Sequence, residues 1–385
     1  MLDTRTDTED QAIFRDTIRR MVADRIAPIA AEIDAQDKIP TEIVNLFGDM
    51  GLLQIYVPDA YGGPGGNLTM ACIAKEEIAR ASFSASHLVG ATSIALVLPL
   101  LHYGTQAQRD RYLPEIAKGR TVSAIAMTEP HTGSDVSGIR TSARKDGNSH
   151  YVVNGQKVFI TNADIADYVL LFARTAEGDG HSGISSFIVP TDTPGFVRGA
   201  AAKKMGLNGI KSLEIYFEDM RIPADCLIGE EGRGFHNAMG VLNLNRPTVA
   251  AAAVGLAQGA LDAALAYAKE REQFGRPIAE FQAIQMIIAE MAVQIEAARA
   301  LLYKTCKIAE TGDLAQLAPM ASIAKTFASD VAMKVTTDAV QVLGGAGYLK
   351  DHPVERMMRD AKITQIYEGT NQIQRLIIMK ALMEQ

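Results

Sequence analysis

The sequence predicts a mainly α, α+β chain in three parts: an N-terminal helical domain (1–121), a middle β domain (122–228) and a C-terminal four-helix bundle (229–385). Three observations carry that reading. From about Thr8 to Arg120 apolar residues recur at helical spacing. Between Val122 and about Ile228 the pattern shortens to β-branched and aromatic runs bounded by Gly and Asn. After Gly234 long amphipathic stretches return with short connections, which suits antiparallel helices in a bundle.

The elements follow in order. Asp7 or Thr8 can cap the first helix, whose apolar face runs Ile13, Ile18, Met21, Val22, Ile26 and Ile29. Pro40-Thr41-Glu42 opens a second helix that reaches Met50, and Tyr61 to Gly66 is too rich in glycine for regular structure. Ser86 to Leu98 is apolar nearly all round and reads as one buried central helix. Asn154-Gly155, between two β-rich runs spanning Tyr151 to Thr161, is a hairpin signal, and Asp146-Gly147 marks another turn. Tyr168–Ala173, Gly183–Val189 and Leu213–Glu218 read as further strands. Helices are expected over Arg246–Glu272, along the stripe Ile284 to Leu302, over Leu317–Leu343 and over Thr370–Met383.

Composition narrows the function. With 48% apolar and 22% charged residues over 385 positions, the chain can bury a large core. A net charge of -7 and the lack of any Lys/Arg-rich block argue against a nucleic-acid surface. Three scattered cysteines and seven histidines without paired ligand spacing predict neither a disulfide framework nor a metal. Met1–Arg5 lacks an apolar signal core and no apolar run reaches membrane-spanning length, so a cytoplasmic protein that stays off membranes is expected.

Five stretches can carry chemistry. Ile366-Tyr367-Glu368-Gly369-Thr370 holds a carboxylate between a ring and a glycine, which suits a general base and equally suits a helix stop followed by an N-cap. Met127-Thr128-Glu129-Pro130-His131-Thr132-Gly133-Ser134-Asp135 offers amides and hydroxyls to a phosphate or heterocycle edge, or is a solvated turn. Phe159-Ile160-Thr161 places a ring beside a hydroxyl at a strand end. Arg271 near Phe274-Gly275 fits helix capping as well as phosphate pairing. Gln341-Val342-Leu343-Gly344-Gly345 follows a helix and not a strand, so a Rossmann reading fails and a helix C-cap fits better. No P-loop or Gly-x-Ser-x-Gly elbow is present, so the kinase and hydrolase readings lose their main support.

Taken together, and with Arg359-Asp360-Ala361-Lys362 leading to Glu368, these stretches resemble the acyl-CoA dehydrogenase family over essentially the whole chain. The resemblance implies a homotetramer that binds FAD between the β domain and the bundle. Ile125, Met127, Thr128, Gly133 and Ser134, with Phe159, Ile160 and Thr161, would face the flavin. Arg271, Gln273, Phe274, Gln282, Gln341, Val342, Leu343, Gly344 and Gly345 would hold the adenosine diphosphate end across a subunit boundary. Thr370, Asn371 and Gln372 would close the cofactor site, and Ser134, Asn243, Arg246, Tyr367 and Gly369 would contact substrate.

The chemistry implied is removal of an α proton from a short- or medium-chain acyl-CoA by Glu368, with hydride leaving the β carbon for flavin N5. The thioester oxygen would be polarised by the Glu368 N–H and a ribityl hydroxyl, and electrons would pass to an electron-transfer flavoprotein. Some family members carry the base at the position of Asn245, which an asparagine cannot fill. Phe159 stands where many relatives have tryptophan, Asn371 where serine is usual, and Asn243 where aspartate is usual. The last substitution admits a second reading, desaturation of an acyl group on an acyl carrier protein. A silent flavoprotein scaffold is a third, against which Glu368, Thr161 and Arg246 speak. His87, Gly90 and Ala91, with Ile94 and Leu98, are the expected floor of the acyl tunnel.

Overall fold

Capping fixes where the first helix begins. The Thr8 side chain accepts from the Gln11 amide and the Gln11 side chain returns a bond to the Thr8 amide, while Asp7 pairs with Arg15 at 2.6 Å. The computed structural model describes residues 7–176 and 180–384, so the Met1–Arg5 stretch lies outside the described residues. The N-terminal helices are α1 (Glu9–Met21), α2 (Ala30–Gln36), α3 (Thr41–Asp49), α4 (Leu68–Ala79), α5 (Phe83–Ser86), α6 (Leu98–Tyr103) and α7 (Gln106–Ala117). The expected single helix over Ser86–Leu98 is corrected. Gly90 takes φ 70° and its amide bonds to the Leu52 carbonyl, then a π-helical turn over Ser93–Val97 leads into α6.

The middle strands are β1 (Ser123–Ala126), β2 (Ser142–Asp146), β3 (His150–Thr161), β4 (Tyr168–Arg174), β5 (Ile184–Pro190), β6 (Phe196–Ala201), β7 (Ser212–Pro223) and β8 (Leu227–Ile228). They form one sheet in the order β6-β7-β3-β2-β4-β5-β8, with β1 parallel to β4. The turn at Asp146-Gly147 joins β2 to β3, but the hairpin expected at Asn154-Gly155 is corrected: β3 runs through it. The Asn-Gly pair is a bulge against β7, where the register shifts between Val153 and Gly155. A Cβ at Gly155 would sit 2.7 Å from Thr141 Cα, and the Asn154 side chain bonds to Asp219 instead of to its own turn.

The C-terminal part holds α8 (Gly234–Glu270), the ribbon β9 (Glu272–Gln273) and β10 (Arg276–Pro277), then α9 (Gln282–Glu310), α10 (Leu314–Leu343), α11 (Val354–Thr364) and α12 (Asn371–Met383). Helix α8 starts twelve residues before the expected Arg246. Pro247 lies inside the helix and removes one of its amides, yet burial of α8 on nearly every side carries the helix through it. The expectation that no apolar run reaches membrane-spanning length is also corrected: α8 passes that test by length and composition, but 78% of its apolar window is buried inside the fold.

Charged groups join the three parts. Asp34 takes Arg359 at 2.7 Å and Asn208 at 2.9 Å, Asp37 accepts from the Gly209 amide at 2.7 Å, and Asp360 accepts from the Leu207 amide at 2.6 Å. One loop of the β domain is thus held by α2 on one side and by α11 on the other. Arg359 and Asp360 do this work, which fixes the helix that leads to Glu368.

A second clamp lies inside the β domain. Lys157, with no exposed surface, gives its Nζ to Glu129 at 2.8 Å and to the Met127 carbonyl at 2.9 Å. Burial pushes the Glu129 carboxyl up, but Lys157 and the amides of Arg140 and Thr141 more than offset this and hold it below its ordinary range. Removing one partner of such a buried pair strands the other charge, at about 3–5 kcal/mol. Lys157→Met should lower stability by about that amount in urea unfolding; unchanged stability would show that the pair does not hold the loop.

Candidate functional site

Glu368 lies in the turn between α11 and α12, and the turn has a visible cause. Thr370 caps α12, its hydroxyl accepting from the Ile373 amide at 3.3 Å, while Glu368 (φ 58°) and Gly369 (φ 87°) are both left-handed. Glycine adopts that conformation freely; for a glutamate it costs of order 1–3 kcal/mol and persists only where neighbours enforce it. They do so here. The Glu368 carbonyl accepts from Gln374 at 3.0 Å and Arg246 at 3.4 Å, and the Gly369 carbonyl from Gln374 and Lys325, each at 3.0 Å.

The carboxylate is held by one oxygen. Oε1 accepts from the Asn245 amide at 2.9 Å, and Asn245 Oδ1 accepts from Thr248 at 2.7 Å, which fixes the amide's orientation. Oε2 is sealed from solvent and has no partner. Burial pushes the Glu368 carboxyl up; Arg246, Lys75, the Asn245 bond and Lys325 pull it back without cancelling the rise. Burial pushes Lys75 and Lys325 down to about 8, against the attraction of Glu368. The Glu368 N–H donates to no group among the described residues, so this residue offers a bare basic oxygen and a bare donor.

A stripe of partly exposed residues adjoins its neighbour Tyr367. Within the otherwise buried stretch 82–100, His87, Ala91 and Ile94 are the partly exposed residues, spaced four and three apart on one side. The His87 ring lies 5.7 Å from the Tyr367 ring. Burial, then Lys75, hold the His87 imidazole down to about 3, so it is neutral near pH 7. Gly90 is buried, so the expected floor is read by its neighbours and not by Gly90 itself.

The residues expected to face a flavin are brought together by the Lys157 clamp. The Val158 amide bonds to the Thr128 carbonyl at 2.9 Å, so the Met127–Ser134 loop and the end of β3 are tied side by side. There β3 bulges between Lys157 and Ile160, Phe159 takes φ 60° and 70% of it is exposed. An aromatic residue forced left-handed and turned outward marks a built surface. Ile125 lies on β1, Ile160 is buried in the sheet core, and Thr161 pairs with Ser212 at the end of β3.

The remaining candidates sit at the other end of the bundle. Arg271 to Gly275 form a tight ribbon turn whose Phe274 is 94% exposed, and Gln282 opens α9 beside it. Gln341 to Gly345 end α10 at the same end, as the contact of His352 with Tyr267 at 5.5 Å on α8 requires. A Cβ at Gly344 or Gly345 would meet nothing within 4 Å, which leaves the surface open. From Asn245 to the end of α8 is about 37 Å at 1.5 Å per residue. One protomer therefore does not bring the Arg271 group to its own Glu368.

Two expected residues behave differently. The Asn371 side chain, expected to help close the cofactor site, is buried and bonded to Lys325 at 2.8 Å, Ser329 at 2.8 Å and Asp330 at 2.8 Å, which positions the turn. Asn243 accepts from the Arg246 guanidinium. Sequence reasoning missed Lys75, Lys325 and Gln374; the available signal was a lysine at a core-facing helical position, as at Lys325 between Ala324 and Thr326. Among the described residues no cluster of His, Cys, Asp and Glu could hold a metal. The exposed strained ring, the open glycines and the unpartnered Oε2 fit a flavin with a substrate beside it.

Comparison with known proteins agrees. The acyl-CoA dehydrogenase N-terminal, middle and C-terminal domain families match residues 8–120, 124–220 and 232–383. An acyl-CoA dehydrogenase of Bacillus subtilis is 44% identical over 376 residues, covering 98% of each chain. Butyryl-CoA dehydrogenase from Megasphaera elsdenii superposes with a TM-score of 0.95 at 39% identity, covering 99% of this chain and 100% of that one. A chain solved in work on the electron transferring flavoprotein of Acidaminococcus fermentans matches with a TM-score of 0.95 at 42% identity, covering 100% of both. On the fold, the desolvated carboxylate and these likenesses, the chain belongs to the acyl-CoA dehydrogenase family and is a flavin-dependent oxidoreductase.

Proposed function

We propose that this chain catalyses α,β-dehydrogenation of a short- or medium-chain acyl-CoA to the trans-2-enoyl thioester, with FAD as cofactor and Glu368 as base. The observation that carries it is Glu368 Oε2, desolvated and unpartnered. Desolvation raises the basicity of a carboxylate, which a weak carbon acid needs. Asn245 holds Oε1 without a competing charge, so Oε2 takes the α proton. The Glu368 N–H is free to donate to the thioester carbonyl, and the left-handed turn aims it. Bound flavin supplies the two-electron acceptor that takes the β hydrogen as hydride. The stripe of His87, Ala91 and Ile94 excludes water along the acyl chain.

The 37 Å separation along α8 supports a homotetramer in which Arg271, Phe274 and Gln341–Gly345 serve a neighbour's FAD. Exposed apolar residues on α9 and α12, among them Met286, Val293, Leu376, Met379 and Leu382, suit burial between subunits. The Acidaminococcus likeness supports an electron-transfer flavoprotein as acceptor. Coenzyme A is the carrier favoured over an acyl carrier protein. Asn243 still accepts from Arg246 as an aspartate would, and no basic block is present to meet an acidic carrier.

Three outcomes test this reading. Glu368→Gln should keep the yellow colour but slow anaerobic bleaching by butyryl- to octanoyl-CoA by at least about 10³-fold, as loss of a general base predicts; normal bleaching would remove Glu368 from the role. In the wild type, kcat/KM should rise with pH as Glu368 deprotonates and then level off. Because its pKa is raised above the ordinary 4.5, the carboxyl stays protonated and idle to a higher pH, so full activity near pH 4.5 would contradict the assignment. Arg271→Glu should cost FAD retention, measured by absorbance on the purified tetramer, although Arg271 is distant from Glu368 in its own chain.

A further inference from the structure

Where the end of α1 meets α4, α8 and α11, the fold leaves a groove of about 420 Å³. Small-molecule sites occupy roughly 300–1,000 Å³, so the space is large enough for a ligand. Regular helix stops along its rim: α1 gives way to a π-helical turn over Val22–Ile26, then a 3₁₀ turn over Ala27–Ile29 that contains Pro28. Single π turns of this kind frequently accompany functional sites. None of the residues that line the groove belongs to the site around Glu368.

The charged lining is three arginines and two acids, and four of the five are matched. Arg19 gives its Nε to Glu77 at 3.0 Å, and Arg80 gives its Nε to Asp262. Arg356, on α11, is the exception. Among the described residues it makes no ion pair, and its one hydrogen bond is a long one, 3.4 Å, to the Ala81 carbonyl. Burial holds its guanidinium below the usual range, against the attraction of Asp360 and Asp34. Those carboxylates are already engaged, Asp34 by Arg359 and Asn208, and Asp360 by the Leu207 amide. A guanidinium presents five donors in a planar fork that fits a carboxylate, and here most of them are unmet.

The rest of the groove is hydrocarbon, supplied by Val22, Ala23, Ala27, Ala81 and Met357 among others. One unmatched positive charge set against apolar walls complements a ligand with one negative charge and a hydrocarbon body. We propose that the groove is a second ligand site, separate from the catalytic one, and that it takes a small alkyl monocarboxylate. The carboxylate pairs with Arg356 and the alkyl tail lies on the turn from Val22 to Ala27. A phosphate ion would satisfy the arginine but leave the walls bare. The competing account is that water meets the Arg356 donors and the groove takes no ligand.

Calorimetry on the holoenzyme decides, with the catalytic site saturated by an unreactive acyl-CoA analogue so that only a second site is read. Octanoate should bind saturably, and at least about tenfold more tightly than octan-1-ol or inorganic phosphate, because a charge-assisted hydrogen bond and the alkyl contact act together. Arg356→Met should weaken octanoate by about tenfold, to the level of the alcohol, while Arg356→Lys keeps part of the preference for the acid. Ala27→Phe, which fills the groove and leaves every charge in place, should abolish binding. Flavin content confirms that each variant is folded, and Ala27→Phe keeps the test decisive if Arg356→Met is not. Absence of saturable octanoate binding overturns the proposal, as does equal affinity for octanoate and octan-1-ol, or phosphate binding as tightly as octanoate. Octanoate affinity that survives Ala27→Phe places the acid elsewhere and overturns it too.

Discussion

One carboxylate kept out of water sets the terms for the rest of this structure. Burying Glu368 with Oε2 unpartnered is unfavourable, since an orphaned charged acceptor loses its hydration and gains no bond. Holding it in a left-handed turn adds strain. The fold tolerates both because Arg246, Gln374 and Lys325 grip the two carbonyls of the turn and Asn245 grips the other oxygen. Arg246 and Asn245 sit on the long helix α8 and Lys325 on the long helix α10, whose positions are fixed elsewhere. Local instability at the site is thus supported by distant packing.

Buried polar links, more than the apolar core, define where the domains meet. The Arg15, Glu76, Arg299 and Tyr303 cluster ties α1, α4 and α9 together behind the substrate side. Asp34, Asp37, Arg359 and Asp360 fix the β-domain loop to the helices on either side. Lys157 and Glu129 tie the Met127–Ser134 loop to the outward-turned Phe159. Apolar contact is non-directional and leaves small slides cheap; charged hydrogen bonds penalise them steeply. A site that must place a base against one face of a substrate and a flavin against the other needs that stiffness.

Much of this was legible in the sequence, and the exceptions have physical causes. Periodicity marked the helical, β and helical parts because each buries one face at its own spacing. Glu368 and the Phe159–Thr161 end of β3 stood out as stretches able to carry chemistry, and Arg246 through the family resemblance. Asn154-Gly155 misled because a hairpin turn and a bulge want the same residues, and only the Thr141 backbone pressing on Gly155 decides between them. Pro247 hid the first three turns of α8, where tertiary burial overrides a local breaker. The side-chain partners of Asn371, which are Lys325, Ser329 and Asp330, lie over forty residues away in α10, so its role in positioning the turn was not readable locally. Lys75 escaped notice because a lysine in a helix reads as solvated until the neighbours that bury it are known.

The central claim is that Glu368 Oε2 faces the α carbon while the Glu368 N–H faces the thioester oxygen. A crystal structure with an unreactive acyl-CoA analogue tests it most directly. The account predicts Oε2 within about 3.5 Å of the α carbon and the thioester carbonyl at hydrogen-bond distance from the Glu368 amide, the reach that proton transfer and carbonyl polarisation require. An analogue seated with its α carbon out of reach of Glu368, or with its carbonyl bonded elsewhere, would contradict it.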